Sequence, residues 1–281
     1  MTTHAKMTTK PVIKPERSKA ALRQERIAYL FLLPTLLVVI GVAFYPLFST
    51  FYATFFNARL GSARAWQYIG LNNYTRLLGD DNWWQAVLTT IKFTVASVTF
   101  ELLLGLGIAL VVNSKFPGRG LMRTAMLVPW AIPTAVSSQM WKWMYHDVFG
   151  VVNDFLVNVL HLLPRKVAWI ANADTALWAL VAVDIWKTTP FMGLLLLAGL
   201  QLIPNDIYEA SAVDGATGWR QFWMITLPLL RPAIVVALIF RTLDALRVFD
   251  LVWITTSGAF GTETMSTMNQ RNLIQFQQLG Y

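Results

Sequence analysis

Long apolar stretches recur along this chain of 281 residues, and they limit the folds that it can adopt. Each of five stretches approaches or exceeds the roughly 20 mostly apolar residues that cross a bilayer as a helix. Charged residues make up only 14% of the chain, against about 25% in an ordinary soluble domain. The sequence therefore predicts an all-α polytopic membrane protein with five transmembrane helices. It argues against a soluble enzyme, a disordered chain and a disulfide-linked scaffold.

The predicted spans are 27–48, 83–112, 124–145, 175–203 and 232–254. Pro129 and Pro133 predict a kink in the third span, where neighbouring side chains would satisfy the freed carbonyl groups. Pro190 predicts a break in the fourth span. Apolar residues at helical spacing in 148–163 predict a helix that is too short to span, either packed or lying at the interface.

The net charge of +8 is distributed unevenly, and this predicts the orientation. Seven of the 23 basic residues lie within 1–26, which predicts a basic cytoplasmic tail rather than a nucleic-acid-binding arm. With the N-terminus inside, the inner segments hold these seven and five more: Lys115, Arg119, Arg123, Arg220 and Arg231. The outer segments hold six: Arg59, Arg64, Arg76, Arg165, Lys166 and Arg271. This bias predicts a cytoplasmic N-terminus.

The segment 204–232 reads PNDIYEASAVDGATGWRQFWMITLPLLRP and predicts a helix, a turn and a second helix. Asp206, with Glu209 three residues later, predicts a cap at the start of the first helix. Gly215 predicts a left-handed residue after its end, and Thr217 predicts a cap on the second helix. Leu227-Pro228 either ends that helix or turns it into the next span. The result is a cytoplasmic elbow over 204–228, for which an ordinary capped loop is the alternative interpretation.

This elbow resembles the EAA loop of binding-protein-dependent ABC transporter permeases. The family pattern is Glu-Ala-Ala, three residues, Gly, nine residues and Ile-x-Leu-Pro, and Ser211 replaces the second Ala. With Asp214 added, the residues expected to couple to an ATPase are Glu209, Ala210, Ser211, Asp214, Gly215, Ile225, Leu227 and Pro228. The resemblance covers 27–281, which is expected to be the permease domain. The stretches WKTTPFMGLLLLAGLQLIP and FRTLDALRVFDLVWITT are similar to permeases for trehalose, maltose and related α-glucosides.

The resemblance implies a subunit of an ATP-driven sugar importer in the bacterial inner membrane. Its implied partners are a second permease subunit, two cytoplasmic ATPase subunits, an extracytoplasmic sugar-binding protein and the lipid bilayer, with no nucleic acid. ATP and Mg²⁺ would bind the ATPase, and this chain would have no catalytic residue and no cofactor. A sixth span follows this point in the family and is expected to be missing here, in a fragment, a truncated form or a shortened gene product.

The residue content agrees with a chain that leaves the ATP chemistry to a partner. The sequence contains no G-x-x-x-x-G-K-[S/T] loop for cradling phosphates. It has no Cys, and His146 and His161 stand alone without a spacing suited to a metal.

Gly105 and Gly107 lie within a predicted span and predict close helix packing.

Ionisable residues inside the predicted spans are costly in lipid and therefore indicate function or a neutralised network. Asp184 and Lys187 are three residues apart, which predicts mutual neutralisation on one helix face. Arg241, Asp244, Arg247 and Asp250 form a stripe of alternating sign in the fifth span. This stripe, with Trp186 stacking on a sugar ring, predicts a polar substrate path. A network that only fixes the packing of subunits is the alternative.

Other classes of function remain open at this stage. An ion-coupled secondary sugar transporter would use Glu101, Asp184 and Asp244 as a proton or sodium relay. Such a transporter has no use for an EAA elbow. An enzyme acting on lipid-linked sugars would need a cluster of carboxylates at the interface, which the sequence does not indicate. A non-transporting scaffold is a further alternative.

Overall fold

The computed structural model describes residues 19–61 and 65–281, which are mostly helical. These residues contain two isolated bridge pairs, Phe56 with Tyr68 and Arg59 with Gln278, and no strand ladder. In chain order their α-helices are α1 (Lys19–Val39), α2 (Tyr45–Ala53), α3 (Asn72–Leu78), α4 (Asp81–Asn113), α5 (Arg119–Met126), α6 (Val128–Ala131), α7 (Thr134–Met144), α8 (Val151–Asp154), α9 (Ala176–Gln201), α10 (Asn205–Val213), α11 (Gly218–Gln221), α12 (Leu227–Ala245), α13 (Asp250–Thr255) and α14 (Met265–Gln270). Single π-helical turns at Ile40–Phe44, Phe155–Val159, Phe222–Thr226 and Arg271–Gln275 extend or join them.

Four helical stretches of the described residues are long and apolar enough to cross a membrane. They are Arg23–Ala53, Asp81–Asn113, Ala176–Gln201 and Gly218–Thr255, and they correspond to the first, second, fourth and fifth predicted spans. The third predicted span is divided into α5, α6 and α7, each too short to cross a bilayer alone. The backbone is extended at Ile132 and Pro133, so the kink expected from the prolines is a break between two helices. Five crossings and a cytoplasmic N-terminus stay predictions.

The core of the bundle lies where α4, α9 and α12 pack against one another. A Cβ atom added at Gly105 of α4 would lie 2.8 Å from Cγ of Met192 and 3.0 Å from the backbone nitrogen of Gly193 on α9. Glycine therefore permits the close approach of these two helices, as predicted for Gly105. For Gly107 the packing prediction is wrong, because that position faces open space.

The helix α9 runs without interruption through Pro190, so the predicted break in the fourth span is wrong. Proline removes one backbone donor from a helix, and packing by neighbouring helices can compensate for that loss. Pro190 is buried, as are Thr188, Thr189 and Met192 around it. Tertiary packing of α9 thus outweighs the local preference of the proline.

The first long helix stands apart from this core. The side chains of its apolar window are unburied, which leaves them for lipid or for another subunit. Its C-terminal end is held by Asn73 of α3, whose side-chain amide donates to the carbonyls of Thr54 at 2.8 Å and Phe56 at 3.0 Å. The predictions for the tail fall largely outside the described residues, because these begin at residue 19, and the prediction for Arg64 also lies outside them.

The end of the chain is tied to the same region. The backbone N–H of Leu279 donates to the carbonyl of Ala58 at 2.9 Å, and the Tyr281 hydroxyl donates to the Asp80 carboxylate at 2.8 Å. This hydrogen bond lowers the pKa of Asp80 below its ordinary value. Burial, followed by the same hydrogen bond, raises the pKa of Tyr281 to about 12. The segment after α14 therefore closes back onto the loop that follows the first helix.

The segment 148–163 contains a short helix, as predicted, formed by α8 and the π-turn Phe155–Val159. Asn153 within it is fully buried. Its amide donates to the carbonyl of Val167 at 2.8 Å, and its carbonyl oxygen accepts from the Trp169 indole at 2.9 Å. One side chain thus fixes the loop between α7 and α9.

Candidate substrate cavity and coupling elbow

A buried ionic cluster joins the three core helices. Arg241 of α12 donates from Nε to Oε2 of Glu101 at 2.6 Å and from Nη2 to Oε1 at 2.8 Å. Glu101, on α4, has no exposed surface, and Arg241 is 2% exposed. The Thr188 hydroxyl on α9 donates to the same carboxylate at 2.6 Å. A buried charge pair is sustained only when geometry and further hydrogen bonds compensate for desolvation, and this cluster provides both.

Two further carboxylates complete the shell around Arg241. Its Nη2 atom donates to Asp184 of α9 at 3.1 Å, and its Nη1 atom donates to Asp244 at 2.5 Å. Asp184 is mostly buried, whereas the Asp244 side chain is 66% exposed. The direct ionic partner of Asp184 is therefore Arg241, and the predicted partner Lys187 interacts with Asp184 only at longer range. The guanidinium group of Arg241, 57 residues away in sequence, offers Asp184 a fixed donor that a neighbour on the same helix does not.

Lys187 instead completes the hydrogen bonding of the break between α6 and α7. Its Nζ atom donates to the carbonyl of Ile132 at 2.5 Å and lies 3.4 Å from that of Trp130. These carbonyl groups have no helical partner because Pro133 interrupts the helix. This confirms the prediction that neighbours satisfy the carbonyls freed in the third span.

A cavity of about 420 Å³ opens beside the cluster. It is lined by the break between α6 and α7, by α9 and by the turn between α12 and α13. Its charged lining residues are Asp184, Lys187, Arg241, Asp244, Arg247 and Asp250. The lining thus brings together all four charges of the stripe in the fifth predicted span.

The stripe does not lie on one continuous helix as the sequence predicted. The helix α12 ends at Ala245, and α13 begins at Asp250. Arg247 therefore lies in the turn, and the periodicity of three holds on a helix only between Arg241 and Asp244. The turn folds the two halves of the stripe around the same cavity.

The aromatic lining of the cavity differs from the prediction. Trp186 is absent from the lining, and its ring packs edge-on against Trp141 at a centroid distance of 5.4 Å. Trp130 and Phe249 line the cavity instead. The ring of Trp130 stacks on Phe191 at 5.7 Å, which fixes its orientation. Trp130 was missed because a tryptophan near a span end reads first as an interfacial anchor.

The elbow 204–228 forms the predicted helix, turn and second helix. The N–H of Gly215 donates to the carbonyl of Ala212 at 3.0 Å, and that of Ala216 to the carbonyl of Ser211 at 2.9 Å. These two bonds form a Schellman motif, in which Gly215 has the expected positive φ of 75°. Thr217 caps α11, as predicted, by accepting from the N–H of Arg220 at 3.4 Å.

The structure corrects the predicted cap of α10 and gives a role to Ser211, the residue that departs from the EAA pattern. Pro204 occupies the N-cap position of α10, so the predicted cap by Asp206 is wrong, and Asp206 lies within the first turn. Ser211 accepts a hydrogen bond from the Gln221 side chain at 2.9 Å. The residue that departs from the EAA pattern therefore ties α10 to α11, a bond that alanine at this position could not form.

The remaining predicted coupling residues fall into two groups. Glu209, Ala210, Asp214 and Gly215 are exposed on α10 and its end, where Val213 is 89% exposed. Ile225, Leu227 and Pro228 are half-buried in the π-turn and at the start of α12. The described residues contain no group of three or more His, Asp or Glu side chains placed to hold a metal ion.

Comparison with known proteins gives consistent matches. Residues 101–279 match the family described as the binding-protein-dependent transport system inner membrane component. The chain is 42% identical over 249 residues, covering 89% of it and 83% of the relative, to the trehalose/maltose transport system permease protein MalF of Thermococcus litoralis. It is 38% identical over 264 residues (94% and 84%) to the trehalose transport system permease protein SugA of Mycobacterium tuberculosis.

A third relative and a solved structure extend this set. The sulfoquinovosyl glycerol transport system permease protein SmoG of Agrobacterium fabrum is 40% identical over 257 residues, covering 91% of this chain and 82% of the relative. The crystal structure of a bacterial alginate ABC transporter, in complex with a periplasmic protein bound to an alginate pentasaccharide, superimposes with a TM-score of 0.78. That match has 23% identity and covers 94% of this chain and 89% of the other, so it supports the fold.

Proposed function

Because this chain belongs to the family of inner membrane components of binding-protein-dependent transport systems, we propose that it is the permease subunit of an ATP-driven sugar importer. The substrate class is a disaccharide or oligosaccharide of the trehalose and maltose type, as in the names of two relatives. The chain itself supplies the path through the membrane and catalyses no reaction.

The observation that carries this proposal is the exposed, rigidly capped elbow. A docking element must present side chains to a partner and must transmit force without bending. The bond between Ser211 and Gln221 and the Schellman motif at Gly215 hold α10 in one orientation relative to α11. The exposed residues Glu209, Ala210 and Val213 are then available for a cleft on a cytoplasmic ATPase.

The proposed assembly contains this chain, a second permease subunit, two ATPase subunits and an extracytoplasmic sugar-binding protein. ATP and Mg²⁺ bind to the ATPase subunits. The N-terminus lies in the cytoplasm, 1–26 forms a basic tail, and 27–281 forms the permease domain with the elbow at 204–228. The segment α5–α7 provides the third of five crossings. This places the elbow on the cytoplasmic side, where the ATPase is.

In this proposal the cavity beside Arg241 forms part of the sugar path. Asp244, Arg247 and Asp250 offer donors and acceptors to hydroxyl groups, and Trp130 offers an apolar ring face. Arg241 itself has carboxylate partners on three sides, so its main task is to join α4, α9 and α12. The same pairing weighs against an ion-coupled transporter, since a relay needs carboxylates that are free to exchange a proton or an ion.

A co-purification experiment tests the elbow. The chain is expressed with the neighbouring permease, ATPase and binding-protein genes, and the complex is recovered through a tagged ATPase. Val213→Asp places a charge on the docking face at a position with almost no intramolecular contact, so we expect loss of the ATPase with membrane insertion retained. Leu162→Asp is the matched control, because Leu162 is 67% exposed in the segment 148–163, which the proposed topology puts on the opposite side of the membrane from the elbow. Wild-type protein that never associates with an ATPase would contradict the proposal.

A further inference from the structure

The charge of the cavity bears on the sugars that it can accept. The similar permeases include proteins named for trehalose and maltose, which are neutral, and one named for a sulfonated sugar, which is an anion. The relatives therefore do not determine whether the substrate of this chain is neutral or anionic. The arrangement of the charged groups around the cavity favours one of these two classes.

Acidic groups outnumber basic groups in and behind the lining. Asp184, Asp244 and Asp250 oppose Lys187, Arg241 and Arg247 in the lining itself. Glu101 lies directly behind Arg241 and adds a further negative charge with no exposed surface. A neutral sugar adds no charge to this cavity, whereas an anionic sugar would bring a negative charge close to these acidic groups.

The two buried cations are already occupied. Arg241 donates to Glu101, Asp184 and Asp244 from all three of its nitrogen atoms, and Lys187 donates to backbone carbonyls of the break between α6 and α7. An anion leaves water only at a high cost unless a cation or several donors receive it. Neither buried cation can receive a sulfonate or carboxylate without losing a partner that it already has. The third lining cation, Arg247, is exposed and shares the cavity with Asp244 and Asp250, so an anion that pairs with it must also enter a cavity lined by these carboxylates.

Asp244 differs from the other acceptors on Arg241 by its exposure. Its side chain is 66% exposed, whereas Glu101 is fully buried and Asp184 is 13% exposed. The carboxylate of Asp244 therefore lies between the Nη1 atom of Arg241 and the cavity, and it neutralises the side of the guanidinium group that faces the cavity. Removal of this charge would leave the guanidinium group as a site for an anion.

We propose that Asp244 is a specificity-determining residue that makes this cavity accept neutral polyhydroxyl sugars and reject anionic ones. This inference rests on the proposed function, because it concerns the sugar path of the same permease. Asp244 acts by two physical effects: repulsion of an anionic ligand, and occupation of the Arg241 donor that such a ligand would need.

The test is equilibrium binding to the assembled transporter in lipid nanodiscs, without the sugar-binding protein and without ATP. The probes are radiolabelled trehalose and trehalose 6-sulfate, which differ by one anionic group. We expect the wild type to bind trehalose and to bind the sulfate at least about fivefold more weakly. This is the weakening expected when two like charges, the sulfate and the Asp244 carboxylate, lie a few ångströms apart in a solvated site. Asp244→Asn should reduce or reverse this ratio.

Asp174→Asn is the matched control, because it removes the same charge from an exposed position that lies outside both the cavity lining and the elbow. Its ratio of the two affinities should equal that of the wild type. Equal binding of both probes by the wild type, or an unchanged ratio in Asp244→Asn, would overturn the inference and leave the sugar path intact. Failure of every form to bind trehalose would overturn the sugar path as well as this inference.

Discussion

Arg241 and Glu101 are 140 residues apart in sequence and form a bidentate ion pair, with N–O distances of 2.6 and 2.8 Å, between two membrane-spanning helices. Because neither side chain reaches water, each charge depends on the other. The pair therefore joins α4 to α12 at the level of the cavity, and its energetics can be measured.

Removal of one partner should be much more costly than removal of both. Glu101→Ala leaves the Arg241 guanidinium short of its bidentate partner in a buried site, and we expect a loss of about 3–5 kcal/mol in stability. The double variant Glu101→Leu with Arg241→Met should recover a large part of this loss. Thermal unfolding of the purified complex measures both. Arg271→Met, which breaks the more exposed pair with Glu263, should cost about 1 kcal/mol or less.

The contact between α4 and α9 predicts opposite results for two glycines that are two residues apart. Gly105→Ala drives a Cβ atom against Met192 and the α9 backbone, which should destabilise the bundle by about 1–3 kcal/mol. Gly107→Ala meets nothing and should be neutral or slightly stabilising, since alanine favours helix over glycine. Melting temperatures of the two variants in one detergent provide the comparison. Equal destabilisation by both would show that α4 and α9 are not packed in this way.

Lys187 should protect the start of α7. Lys187→Met keeps the length of the side chain but leaves the carbonyls of Ile132 and Trp130 unpaired, at a cost of about 1–3 kcal/mol. Hydrogen exchange of the amides in 134–138 should accelerate, while exchange in the middle of α4 stays unchanged. Lys92→Met serves as the control because Lys92 is exposed. Unchanged exchange at 134–138 would contradict the role given to Lys187.

The bond between Tyr281 and Asp80 should be sensitive to pH. The folded pKa of Asp80 is lowered, so its contribution to stability is present above the ordinary pKa of about 4 and is lost as the pH falls through the folded value. The folded pKa of Tyr281 is raised to about 12, so its contribution is present below about 10 and is lost as the pH rises through the folded value.

Tyr281→Phe removes this contribution, so the protection of the Leu279 amide should fall relative to the wild type between about pH 5 and pH 9. The difference should shrink towards and below the folded pKa of Asp80. Hydrogen exchange, expressed as the ratio of variant to wild type at each pH, measures it. Tyr68→Phe, at an exposed tyrosine, should show no such dependence. A ratio that is constant down to pH 2 would refute the pairing.

Local signals in the sequence predicted a large part of this architecture. Runs of apolar residues located the long helices, and Gly215 and Thr217 located the end of α10 and the start of α11, because these features depend on residues close in sequence. The break predicted at Pro190 is wrong because the packing around α9 decides whether a proline breaks the helix, and a local pattern does not report that packing. The partner of Asp184 was missed for the same reason, since periodicity along one helix carries no information about Arg241 on another.

The cavity shows where sequence reasoning stops. The alternating charges of the fifth predicted span indicated a polar wall, and the structure brings all four to one cavity. The turn after Ala245 was not evident, because 246–249 contains no glycine or proline to mark it. Trp130 lines the cavity because the chain changes direction at the break near Pro133. The sequence predicts this kink but does not specify its size.

Sugar uptake into proteoliposomes that contain the complete complex tests the central claim most directly. The vesicles are loaded with ATP or with a non-hydrolysable analogue, and radiolabelled trehalose uptake is measured with and without a proton gradient. We predict uptake that requires ATP hydrolysis, persists when a protonophore removes the gradient, and is lost in Gly215→Pro, whose φ of about −65° cannot match the observed 75°. Uptake driven by a proton or sodium gradient in the absence of ATP would contradict the account.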